Sequence, residues 1–243
     1  MTSDPQPRTG AASKPSWGLG DALGGWLLAM VLSALSLPPL LAAFGYAVDD
    51  DLPLEIMTLQ YIPLWVGFVG VPVWAAVTKG SGFVRDFRVR LAAIDVAVAV
   101  AVGVLAQLIL VPLVSWPVLE LAGSSFDELA EPARELGDKA VGPLKIFLLF
   151  AIVGVGAPIA EEIFYRGLVL GALAKRFGTT WAVIGSSVLF GLSHFQLLQL
   201  PALVVAGAVF ALLYVRTGRL GAAIIGHMAF NAVTVGNLVW GSV

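Results

Sequence analysis

The chain contains no cysteine, which removes disulfides, thiol nucleophiles, thiolate metal ligands and palmitoyl anchors from consideration. It is also poor in charge, at 12% of 243 residues, and has only two histidines. A net charge of -2 without a concentrated basic patch gives no footprint for nucleic acid, and none is expected as a partner. No His-Glu-x-x-His pair, Gly-x-Ser-x-Gly elbow or phosphate loop is present, and no internal repeat. What the sequence has in abundance is apolar surface: 58% hydrophobic residues and a mean hydropathy of +0.91, which no soluble domain of this size keeps in solution. The chain belongs in lipid.

Apolar stretches at Leu23 to Val48, Met57 to Val77, Val96 to Leu119 and Ile146 to Ala160, with three more after Trp181, approach the roughly 20 residues needed to cross a bilayer core. The first run is too long for a signal-peptide core of about 7 to 15 residues, so it is read as a span. Acidic loops alternate with basic ones. Of the fourteen cations, ten fall on one side, three (Arg134, Lys139, Lys145) on the other, and Arg166 lies alone inside a span. This asymmetry predicts a multi-pass protein of the cytoplasmic membrane with seven spans and its N-terminus inside. Residues 1–16, rich in Pro, Ser and Thr, predict a disordered cytoplasmic tail, and 17–243 a single transmembrane domain. Trp17, Trp74, Trp116, Trp181 and Trp240 fall near expected span ends. Between 120 and 143, Ser125 and Glu128 have capping-box spacing, which predicts a short interfacial helix or, with Pro132 interrupting it, a solvated connector.

Span 4 continues through Glu161, Glu162 and Arg166 before its apolar character resumes at Leu168. Each such charge at mid-bilayer costs about 2.5 to 3.5 kcal/mol on insertion scales, and the default reading is a functional site, against an internal salt bridge that only locks helices. Glu162 and Arg166, four apart, share a helix face; Glu161 points about 100° away and needs another partner. Pro158 should bend the helix and free a carbonyl. His194 and His227 both fall in expected spans, and Asn231 lies one turn beyond His227. Counting about 1.5 Å per residue from the basic ends places Glu161 and His194 about 20 Å deep, Asn231 about 17 Å, and His227 and Arg166 about 10 to 12 Å. Gln60, Gln107, Asp21 and Asp95 are read as hydrogen-bonding or interface residues outside this group.

The segments Glu161-Glu162-Ile-Phe-Tyr-Arg166-Gly167, Phe190-Gly-Leu-Ser-His194 and His227-Met-Ala-Phe-Asn231 resemble, in order, type and spacing, the three motifs of the CAAX protease and bacteriocin-processing family, also called the Abi family. The resemblance covers about residues 156 to 231. It implies an all-α polytopic membrane fold of about eight helices around a conical intramembrane cavity, one helix more than the seven counted, with 145–240 as the catalytic helices. It implies an intramembrane endopeptidase of the CAAX prenyl protease type acting near the cytoplasmic leaflet on a peptide or lipidated protein, with no metal or other cofactor. Its catalytic residues would be Glu161 and His194, activating a water, and His227 and Asn231, holding the oxyanion; Glu162 and Arg166 would support Glu161.

Three rival readings remain. Glu161, Glu162, His194 and His227 could bind zinc, since two histidines and two carboxylates can fill a tetrahedral shell. The chain could be a non-catalytic immunity or regulatory protein that binds a partner. Buried Glu and His could also relay protons in a transporter, although no inverted repeat speaks for one.

Overall fold

The computed structural model describes residues 15–241 and contains only helices among them. Beside a single helical turn at Phe83–Asp86, we number the longer ones α1 (Leu19–Phe44), α2 (Leu54–Lys79, with a slight break at Gln60), α3 (Ala93–Ala122), α4 (Phe126–Asp138), α5 (Pro143–Phe177), α6 (Thr179–Leu192), α7 (Leu200–Thr217) and α8 (Leu220–Trp240). Six of these are long and apolar enough to cross a membrane, all except α4 and α6. The chain is thus a multi-pass α-helical membrane protein. The seventh expected span is α6, which has only 14 residues and ends two residues before His194.

The helix expected between 120 and 143 is α4. Glu128 N–H donates to Ser125 Oγ and Ser125 N–H to Glu128 Oε2, both at 3.2 Å, so the capping box forms. Pro132 does not interrupt it; the helix runs on to Asp138. Gln199 Nε2 donates to the Leu129 carbonyl at 2.7 Å and ties α4 to the turn between α6 and α7.

Three helix pairs (α1 with α2, α6 with α7, and the first half of α3 with α8) surround α5, which carries the core. Phe164, Tyr165, Arg166 and Leu168 of α5 are all buried. Small residues set the spacing around the site. A Cβ at Gly103 of α3 would collide with the Gly226 carbonyl of α8, so only glycine lets these backbones meet beside His227. A Cβ at Gly20 or Gly24 of α1 would meet only open space.

The basic face is stitched by polar contacts. Asp95 takes both Nε and Nη2 of Arg219 at 2.6 Å, Asp21 meets Lys79 Nζ at 2.6 Å, and Ser16 N–H reaches the Lys79 carbonyl at 2.7 Å. The tail expected over 1–16 lies, as far as residue 14, outside the described residues. Trp74, Trp116, Trp181 and Trp240 are exposed at helix ends as an interfacial belt requires, but Trp17 is buried, in ring contact with Phe87 at 5.4 Å.

Candidate active site

The site starts from an irregularity in α5. Two wide, π-type stretches, Phe150–Gly156 and Ile163–Val169, flank the regular turns that carry Glu161 and Glu162. In the wide register the Val153 carbonyl would look to position 158 for its N–H, and Pro158 has none. Asn231 Nδ2 of α8 donates to that carbonyl at 2.7 Å. Pro158 thus frees a carbonyl, and Asn231 takes it.

The two neighbouring carboxylates diverge at once. Glu162 is fully buried; its Oε2 lies 3.0 Å from Arg166 Nε, and its Oε1 lies 2.9 Å from His227 Nδ1. The Arg166 contact is an ion pair whose alignment falls short of a hydrogen bond, while Arg166 Nη2 donates to the Gly207 carbonyl at 2.7 Å. Phe190 and Phe210 stand 4.8 and 5.5 Å from the guanidinium carbon, so the charge rests against ring faces as well as on its carboxylate. Glu161, turned away from Arg166, keeps a side chain 15% exposed, and its Oε2 lies 3.9 Å from His227 Nε2. Its expected second partner is therefore His227.

His227 is fixed on three sides. Beside the two carboxylates, Phe210 stacks on its ring at 4.3 Å and 17°. An ionised Glu162 can only accept, so Nδ1 is the donor to it. His194 lies past the end of α6, not within a span. Its Nδ1 donates to the Phe190 carbonyl at 2.8 Å, leaving Nε2 with a free lone pair when the ring is neutral. Phe190 joins the two histidines, with its ring 4.8 Å from His194 and 5.7 Å from His227.

The structure thus brings Glu161, Glu162, Arg166 and His227 into direct contact, sets His194 one aromatic ring away, and places Asn231 one turn along α8. Glu161 and His227, set about 8 to 10 Å apart in depth by counting along their helices, meet through their side chains at 3.9 Å. Among the described residues no three His, Asp or Glu side chains converge as metal ligands, so the four-residue zinc set is not assembled. Its Glu162 is already committed to Arg166 and His227.

Sequence reasoning missed Trp26 of α1, whose Nε1 donates to Ser193 Oγ at 2.8 Å, while Ser193 Oγ donates to the Leu189 carbonyl at 2.6 Å. This fastens the turn that bears His194. It also missed Phe210, and neither residue differs in sequence from ordinary span aromatics. Beside the turn lies an apolar cleft of about 380 Å3, lined by Trp26, Leu192, Phe195, Leu197 and Leu200 among others and not by Glu161 or His227.

Residues 143–233 match the family model described as type II CAAX prenyl endopeptidase Rce1-like. The chain is 35% identical over 88 residues to "Putative membrane peptidase YdiL" of Bacillus subtilis (strain 168). That alignment covers 36% of this chain and 36% of the relative, about a third of each. No solved structure matches.

Proposed function

We propose, from the membership of this chain in the CAAX protease and bacteriocin-processing family, that it is an intramembrane endopeptidase hydrolysing a peptide bond of a peptide or lipidated protein. The proposal places the chain in the cytoplasmic membrane with its N-terminus and basic face inside, and the scissile bond in a conical cavity bounded by α5, the α6–α7 turn and α8. The observation that carries it is the contrast between the carboxylates: Glu162 is spent on Arg166 and His227, whereas Glu161 is partly open and meets only the far nitrogen of His227.

In this mechanism Glu161 takes a proton from a water while Nε2 of His194 accepts its second hydrogen. The water oxygen bonds to the carbonyl carbon, and negative charge moves to the carbonyl oxygen. Asn231 keeps one amide hydrogen on Val153 and offers the other to that oxyanion. Because Nδ1–H of His227 is committed to Glu162, Nε2 can donate to the oxyanion only when the ring is an imidazolium. Two carboxylates and one guanidinium leave one negative charge for that imidazolium to balance. When the intermediate collapses, the C–N bond breaks and Glu161 returns its proton to the leaving amine, so the cycle balances without a further reactant.

The test compares protein termini in membranes of cells carrying the wild type or Glu161→Gln at matched levels. New termini present only with the wild type are expected, since general-base help is worth about 10²- to 10⁴-fold. Identical termini in both, with the wild-type phenotype retained by the variant, would replace the enzyme with a partner-binding scaffold.

A further inference from the structure

A cavity of about 520 Å3 opens at the basic face, remote from Glu161 and between the end of α5, the start of α6 and the end of α7. Its lining joins two cations, Arg88 and Lys175, to one carboxylate, Asp86. Asp86 is engaged: it accepts from the Trp17 indole N–H at 3.1 Å and from the Ser81 backbone N–H at 3.0 Å. Lys175 lies over the Trp17 ring and donates to the Trp17 and Pro15 carbonyls at 2.8 and 3.2 Å; Asp86 and Asp21 act on its charge from further off, and neither forms a salt bridge with it. Arg88 is exposed on the wall.

Two further features point to an anion. Thr179, which lines the cavity, is the first residue of α6, and that helix has no side-chain cap on its N-terminus, so its first N–H groups lack an intrachain acceptor. Tyr214 is 94% buried, being 6% exposed, and its ring is part of the core; it also lines the cavity, and its hydroxyl has no hydrogen-bond partner among the described residues. That hydroxyl is not sealed in the core as the Tyr165 hydroxyl is, so it can donate into the cavity. Leu170, Ala174 and Val215 give the wall an apolar part.

We propose that this cavity is a binding site for a phosphate ester, occupied by the headgroup of an anionic phospholipid, with Arg88, Lys175, Thr179 and Tyr214 around the phosphate. A lipid suits the site because its lining joins Arg88 and Lys175 to aliphatic side chains, the two chemistries of an anionic headgroup and its first acyl carbons. The site is separate from the proposed peptidase centre and does not depend on it.

The full chain, purified in a non-ionic detergent, is titrated with phosphatidylglycerol, phosphatidylcholine or inorganic phosphate. Retained lipid is read by native mass spectrometry and the unfolding temperature is followed alongside. Arg88 has φ +52, so Arg88→Asn removes the charge with a residue that tolerates this backbone. Tyr214→Phe removes only the hydroxyl. The expected result is one phosphatidylglycerol retained in preference to phosphatidylcholine, with affinity about fivefold weaker in Arg88→Asn and a smaller loss in Tyr214→Phe. Unfolding temperatures without lipid show whether either variant is simply misfolded. Saturable binding of inorganic phosphate that matches the lipid and weakens in Arg88→Asn would keep the phosphate site and make its ligand a soluble anion. Equal retention of both lipids, or equal affinity in wild type and both variants, overturns the proposal.

Discussion

Glu161 and Glu162 share one peptide bond and little else. Glu162 has no solvent exposure, a guanidinium at 3.0 Å and an imidazole at 2.9 Å; Glu161 is 15% exposed, with the same imidazole at 3.9 Å and no guanidinium in contact. One step of about 100° around a helix produces this difference, because Arg166 lies on the Glu162 face. An ion pair in lipid must neutralise itself, and a group that does so has no capacity left for a substrate. The pair therefore divides the work: Glu162 makes it possible to bury charge here, and Glu161 remains able to react.

The comparison breaks most severely at Glu162. Glu162→Gln leaves Arg166 and His227 facing a neutral amide in a dry core, and removing one partner of a buried pair costs about 3 to 5 kcal/mol. We expect the variant to accumulate poorly and to unfold at a lower temperature, whereas Glu161→Gln, tested for turnover above, unfolds like the wild type. Thermal unfolding of both proteins in detergent checks this. If the two lose stability equally, the division between an anchoring and a reacting carboxylate is wrong.

That division was partly legible in the sequence. Spacing alone pairs Glu162 with Arg166, and the cost of charge in lipid marks both as more than accidental. Spacing could not supply the partner of Glu161, because His227 lies 66 positions away on another helix, and counting depth from helix ends set the two apart. Hydropathy exposed the six long helices, while α6 shows how it misleads at a site: the apolar run continues through Ser193 and His194, yet the helix stops at Leu192. The wide turns of α5 had a visible cause only at Pro158. Trp26 and Phe210 carried no signal at all, since an aromatic residue in a membrane span looks the same whether it faces lipid or a histidine.

Asn231 sharpens the same contrast at a smaller scale, because it has both a structural contact and a proposed chemical one. Asn231→Ala should lower turnover by about 10²- to 10³-fold, the worth of one oxyanion donor. Losing its hydrogen bond to the Val153 carbonyl should cost only about 1 kcal/mol of stability. Cleavage rates measured beside unfolding curves separate the two: turnover that falls only as far as stability does would make Asn231 a brace for α5, like Glu162, and not a partner of Glu161.

The smallest effect is expected at Trp26, on a helix outside the region that matches the family model. Its indole N–H holds Ser193 and, through that turn, the orientation of His194. Trp26→Phe keeps the ring and deletes the donor, so stability should fall by about 1 kcal/mol. If the hydrogen bond positions His194, kcat should fall severalfold while KM stays near the wild-type value. Ser193→Ala removes the other end of the same bond, so the double variant should be no slower than the more affected single one. Additive losses would mean that Trp26 and Ser193 act separately, and that the turn bearing His194 is held by α6 and α7 without help from α1.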